Sequence, residues 1–173
     1  MIFNWFKSKE LFYEDIFRKL QEKDVHYLVV GGIAVSLYGA VRLTVDADLI
    51  LELRNENIDK FFKAMKELGY LPKVPVDVAD FADPKKRRQW IAEKGMRVFP
   101  LYHPQRPLEI VDVFVENPID FQEMDKEKVV KKAQGLEIPL PSLRHLVKLK
   151  RLAGRDQDLN DIKTLENLYG KLE

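Results

Sequence analysis

The 173-residue chain contains no cysteine. Disulfides and thiolate metal sites are therefore excluded. An excess of one charge is also missing: 29 Lys and Arg stand against 28 Asp and Glu, a formal net charge of +1. No global field draws such a chain to nucleic acid or to an anionic membrane, so any contact of that kind needs a local patch. No apolar run approaches the length needed to cross a bilayer. The opening "MIFNWFKSKE" lacks a signal-peptide pattern. These absences lead us to expect a cytoplasmic protein with no membrane partner. What remains is 46% hydrophobic and 33% charged, the balance of a soluble globular protein able to bury a real core. The length suits one domain over 1–173, with a sheet core over about 25–116 and a helical segment over about 141–170.

Periodicity supplies the coarse order. Residues 10–22 carry Leu11, Phe12, Ile16, Phe17 and Leu20 at helical spacing. "VHYLVV" (25–30) reads as a buried strand, "GIAVSLYG" (32–39) as a short helix and "LTVDADLILEL" (43–53) as a long strand. A helix follows, with Asn55 or Asn57 as candidate caps and Gly69 as its stop. The Pro- and Asp-rich stretch after it reads as loop with one short strand. Asp83-Pro84 starts a further helix. "MRVFPLYH" is a strand whose Pro100 implies an edge or a bulge. "PLEIVDVFVEN" is a strand with Asp112 at its middle. After a polar stretch near 117–141, Ser142 and Asp156 cap a helical hairpin that turns at Gly154.

The chemistry lies in "YLVVGGIAVSLYGAVRLTVDADLILEL". On a strand Asp46 and Asp48 project from one face, while Val45, Ala47, Leu49 and Leu51 take the other, towards core. Two neighbouring carboxylates repel, and burial makes this worse. A divalent cation such as Mg²⁺ would relieve them, since it favours one or two carboxylates plus phosphate oxygens. Asp112 is a lone acid on a face shared with Leu108, Ile110 and Phe114. If its strand lies beside the first, three carboxylates converge and could hold two metals roughly 3.5–4 Å apart. Gly31 and Gly32 end a strand and open a helix, where free N–H groups and close backbone approach suit phosphate. The pair is neither a dinucleotide fingerprint nor a P-loop.

In this order the residues resemble the nucleotidyltransferase superfamily, the fold shared with DNA polymerase beta. "GGIAVSLYG" leading through "RLTVDADL" is similar to the branch of minimal nucleotidyltransferases and abortive-infection toxins, with its G-G-x-A and R-x-T-x-D-x-D patterns. "LVKLKRLAGRDQDLNDI" resembles that branch's L-K-x-x-A-x-R-x-x-D-x-x-D-I motif. The resemblance implies an α/β (α+β) fold, with a small mixed, twisted sheet flanked by helices and a C-terminal helical hairpin. It implies that Gly31 and Gly32 hold an NTP triphosphate and that Asp46 and Asp48 bind both metals, Mg²⁺ or Mn²⁺. Asp112 would bind the catalytic metal and help activate a hydroxyl. Arg42 and Thr44 would line the same pocket. Many relatives have histidine where this chain has Tyr38.

Other features read two ways. Lys150 and Arg155 either reach the phosphates or join Asp158 and Asp161 in an interhelix salt-bridge set. "KKRR" (85–88) is either an RNA or tRNA contact or a solvated helix face. His26, His103 and His145 show no ligand spacing, and Ser36 has no His–Asp partner. The expected activity is Mg²⁺-dependent transfer of an NMP from an NTP to a hydroxyl of RNA or tRNA, protein or a small molecule. The alternatives are a non-catalytic module with a cognate protein partner, such as a toxin–antitoxin component, and a phosphohydrolase using the same metals.

Overall fold

The computed structural model describes residues 13–172. Among these residues seven α-helices and seven strands follow in chain order, with one 3-10 turn at Val78–Ala82: α1 Glu14–Glu22, β1 Tyr27–Val30, α2 Gly31–Leu37, β2 Asp46–Leu51, α3 Asn55–Glu67, β3 Leu71–Pro72, α4 Pro84–Lys94, β4 Val98–His103, β5 Arg106–Phe114, α5 Phe121–Lys126, β6 Val129–Ala133, β7 Leu136–Leu140, α6 Leu143–Ala153 and α7 Asp156–Tyr169. Five strands form one mixed sheet in the order β1-β2-β5-β4-β3. The β2–β5 pair is parallel and its neighbours are antiparallel. The architecture is the expected mixed α+β one.

Alternation sorts the sheet into two faces. Ala47, Leu49 and Leu51 of β2, Val111 and Val113 of β5, and Phe99 and Leu101 of β4 are fully buried on one face. They pack with Ile16, Phe17 and Leu20 of α1 and Ile58 and Phe61 of α3. On the other face Leu28, Val30 and Ile50 meet Phe121 and Met124 of α5 in a smaller cluster. That cluster covers only part of its face and leaves the rest open around the aspartates.

Several boundaries differ from the sequence reading. Strand β2 begins at Asp46, so residues 43–45 are lead-in, and Val45 is 55% exposed instead of facing core. Leu11 and Phe12 of the first helical pattern lie outside the described residues. Neither asparagine caps α3: Arg54 holds that position, and Asn57 is buried inside the helix. Its side-chain oxygen accepts from the His26 N–H at 2.8 Å, and its amide donates to the His26 and Glu52 carbonyls at 2.8 and 2.9 Å. Asn57 thus ties α3 to both flanks of the β1–β2 pair. Asp83 and Ser142 do cap α4 and α6, but α7 is capped at Arg155, with Asp156 as its first helical residue.

Strand β4 is covered on its outer side only by the two-residue β3, and its bulge falls at Tyr102/His103 instead of at Pro100. The polar stretch 117–141 is structured as α5 and the β6–β7 hairpin. There Leu136, Ile138 and Leu140 are buried while the residues between them are not, an alternation masked by Lys131, Lys132, Glu137 and Pro139, which break up the apolar run. No helix among the described residues is long and apolar enough to cross a membrane.

Replacing Asn57 with alanine strands one buried and two half-buried backbone partners. Urea denaturation should show a loss of roughly 2–3 kcal/mol. A loss below 0.5 kcal/mol would mean that water replaces the amide.

Candidate active site

The β2–β5 register sets Asp48 directly opposite Asp112 and Asp46 opposite Ile110. On the other side of β2, Val30 pairs with Asp48, and on the far side of β5, Pro100 pairs with Asp112. One lateral row therefore runs Val30, Asp48, Asp112, Pro100. In-register neighbours point to the same face, so the two strands bring the three acids onto one face.

Gly31 explains how the chain tolerates Asp48 so close to the strand-to-helix turn. Its φ is +66°, and a Cβ placed there would lie 2.0 Å from Asp48 Oδ2. Both the left-handed backbone and the carboxylate's position require glycine. Gly32 is buried, and a Cβ on it would meet the Thr44 side chain at 2.8 Å. Gly31 thus faces the acids and Gly32 packs the lead-in to β2. Thr44 also donates weakly to the Asp46 carbonyl at 3.4 Å.

Burial, then the Asp112 charge, push the Asp48 carboxyl up to about 7, against the opposing pull of Lys150 and Arg155. Burial and then Asp46 push Asp112 up to about 6, offset in part by Lys73. Among the described residues no group of three or more acidic, histidine or cysteine side chains stands as a formed metal cage. The carboxylates share a face without closing around a point. Oxygen-only donors whose mutual repulsion the nearby cations offset only in part fit a Mg²⁺-type ion, which brings water and phosphate oxygens to complete its shell. They do not fit a softer metal, for which no thiolate is present.

The C-terminal hairpin supplies the cations. Lys150 Nζ is buried and donates to Asp158 at 3.1 Å and Asp161 at 2.8 Å. Arg42 Nε donates to the other Asp161 oxygen at 3.0 Å, and Arg155 Nε donates to Asp158 at 2.7 Å. Lys150 and Arg155 therefore join the interhelix set, and both also line the open cavity beside Asp48. This cavity, of about 660 Å³, is bounded at one end by Gly31, Asp48, Asp112, Lys150, Arg155 and Asp158. Its other walls are mostly apolar, from Phe114, Leu146, Leu149 and Leu152, with the charged Arg97 and Glu116 among them. Asp46, Gly32, Arg42 and Thr44 lie outside the cavity lining; Arg42 and Thr44 act on the lead-in to Asp46.

The remaining candidates fall elsewhere. Tyr38 donates to the Pro141 carbonyl at 2.6 Å and accepts at its own carbonyl from Tyr169, so it braces the scaffold. In 85–88, Arg87 turns inward to the Phe81 carbonyl and only Lys85, Lys86 and Arg88 are exposed. His145 is buried between Ser142 and Glu123. Sequence reasoning missed Asp158 as a cavity-lining group and missed Lys73, which sits in a Pro-rich stretch with no periodic signal.

Solved structures with a similar fold are distant in sequence. The antibiotic-resistance factor ANT(2'')-Ia superposes with a TM-score of 0.60 at 12% identity, over 92% of this chain and 83% of that one. The fold is that of the nucleotidyltransferases. The lincosamide antibiotic adenylyltransferase LnuA, solved with lincomycin bound, matches at a TM-score of 0.57 and 18% identity over 94% of this chain and 98% of its own. ANT(2'')-Ia in complex with adenylyl-2''-tobramycin matches at 0.56 and 12% identity over 90% and 86%. No protein-family model matches the chain, and no curated protein sequence does.

Asp48 and Asp112 hold protons more tightly folded than unfolded, where an aspartate titrates near 3.9. Their ionisation therefore opposes folding. The stability they lend is complete below about pH 4 and is lost as pH rises through about 6 and 7. The melting temperature of metal-free protein should fall between pH 5 and 8, and Asp48→Asn should flatten that fall. Equal slopes in the two proteins would show that the carboxylates are not in conflict.

Proposed function

We propose that the protein is a nucleotidyltransferase that moves a nucleoside monophosphate from an NTP to a hydroxyl acceptor. The observation that carries this reading is the lateral pairing of Asp48 with Asp112, flanked by Gly31 and by the cations of α6 and α7. The comparisons support it at the level of the fold; one solved neighbour is a lincosamide antibiotic adenylyltransferase and another is in complex with adenylyl-2''-tobramycin.

In this reading Gly31 presents backbone to the triphosphate, Lys150 and Arg155 meet its negative charge, and Gly32, Thr44 and Arg42 hold the lead-in that sets Asp46. Asp46, Asp48 and Asp112 would hold Mg²⁺ or Mn²⁺. When bound, the metal neutralises phosphate charge and polarises the α-phosphate. The acceptor O–H attacks the α-phosphorus in line. A P–O bond to the acceptor forms, the bond to the bridging oxygen breaks, and pyrophosphate leaves with that oxygen. Asp112 takes the acceptor's proton, a role suited to a carboxyl raised to about 6. Positioning supplies much of the rate.

Asp46 and Asp48 come from one strand and suffice to escort the triphosphate; Asp112 comes from another and serves the attacking group. Asp112→Ala should therefore keep Mg²⁺–NTP affinity within about threefold and lose transfer by roughly 10²-fold or more. The measurement pairs calorimetry with transfer of label from α-labelled NTP to acceptors in cell extract. Retained transfer would remove Asp112 from the chemistry. Intact NTP binding with no transfer by the wild type would leave a nucleotide-binding module, the behaviour of a partner-dependent component.

A further inference from the structure

The row through the acids continues beyond them. The Lys73 N–H donates to the Pro100 carbonyl at 2.9 Å, and Pro100 pairs with Asp112. Lys73 thus lies two strand spacings, roughly 10 Å, from Asp112, and its charge is felt there. Among the described residues its ammonium makes no ion pair or side-chain hydrogen bond, and the residue is exposed. In the next row Tyr102 pairs with Ile110 on β5 and with Leu71 on β3. Phe99 and Leu101 turn into the core, so Pro100 and Tyr102 turn to the open face with the aspartates. Leu71 is 46% exposed and Leu108 is 76% exposed. Beside Asp112 there is consequently a shelf of apolar and aromatic side chains with one cation at its edge.

The shelf lies on a particular side of the acids. Gly31, Lys150 and Arg155 border Asp48 at the β1 end of the row, and Lys73 and Tyr102 lie at the β3–β4 end. In-line displacement puts the attacking hydroxyl and the departing pyrophosphate on opposite sides of the α-phosphorus. With the triphosphate tail at the β1 end, the attacking group enters over β4. We propose that this shelf seats the acceptor and that the acceptor is nucleotide-like: a hydroxyl-bearing ribose, a planar base over Tyr102 and a phosphate at Lys73. The assignment rests on the transfer reading above. Aromatic rings stack on any base, and a single free ammonium on an apolar floor suits an anion and disfavours a polycation. A free nucleoside monophosphate and the 3′ end of an RNA carry the same chemistry.

The test reads binding, not turnover. Protein is saturated with Mg²⁺ and non-hydrolysable α,β-methylene-ATP, and a second ligand is titrated by calorimetry. Adenosine monophosphate should bind, adenosine at least tenfold more weakly, and the polycation tobramycin not measurably. Lys73→Glu should weaken adenosine monophosphate at least tenfold. Tyr102→Ala should weaken adenosine monophosphate and adenosine by similar factors. Lys73 is exposed and Tyr102 half-buried; melting curves of both variants should match wild type, and Tyr102→Phe, which keeps the ring and its packing, should bind adenosine monophosphate as wild type does. A 5′-phosphorylated triadenylate that binds more tightly than the monophosphate assigns the site to an RNA end; weaker binding assigns it to the free nucleotide. The shelf is refuted if the loaded wild type fails to bind the monophosphate, if both variants bind it as wild type does, or if tobramycin binds best. Failure of wild type to load the ATP analogue refutes the transfer reading and the shelf with it, whereas selective loss in the variants concerns the shelf alone.

Discussion

The parallel register of β2 against β5 places Asp48 beside Asp112, and the rest of the site is arranged around the repulsion this creates. The register is fixed from the opposite face. Ala47, Leu49 and Leu51 on one strand and Val111 and Val113 on the other have no exposed surface. A slip of one residue would turn these side chains to solvent and the acids into the core. Hydrophobic burial therefore holds two carboxylates where electrostatics alone would part them. Burial first, and then a neighbouring carboxylate (Asp112 for Asp48, Asp46 for Asp112), raise the affinity of both acids for protons.

The cations that answer it come from the far end of the chain. Lys150, Asp158 and Asp161, all buried, and the half-buried Arg42 form one chain of contacts between the α6–α7 hairpin and the residues leading to Asp46. Buried ion pairs contribute little net stability, because desolvation offsets their attraction. Their value here is positional. Asp161 is shared by Lys150 and Arg42, so the hairpin and the β2 lead-in are held to one another. Asp158 is shared by Lys150 and Arg155, which keeps both cations at the cavity wall. The sequence left two readings open for Lys150 and Arg155, salt-bridge set or phosphate contact. The geometry lets one arrangement serve both.

What could be read in advance follows from local periodicity and residue chemistry. Strand, glycine pair and D-x-D were legible because a two-residue alternation and a strand-to-helix turn are local patterns. Asp112 stood out as one acid among apolar residues. Its partnership with Asp48 depended on strand order, which local pattern does not carry. The β6–β7 hairpin went unread because Lys131, Lys132, Glu137 and Pro139 break up the apolar signal. Asn57 looked like a cap, yet its three bonds to residues on both sides of the β1–β2 pair are a tertiary feature. Lys73 had no local mark at all, since its place in the row is set by a two-residue strand and one backbone hydrogen bond.

The central claim is that the Asp48–Asp112 pair is a site for cation-borne phosphate. Thermal melting with and without Mg²⁺ plus an NTP tests it most directly. Wild type should gain several degrees only when both are present, since a ligand bound by the native state alone raises stability. The gain should vanish in Asp48→Asn, whose metal-free protein should melt no lower than wild type because the repulsion is relieved. An equal gain in Asp48→Asn, or none in wild type at millimolar metal and NTP, would contradict the account.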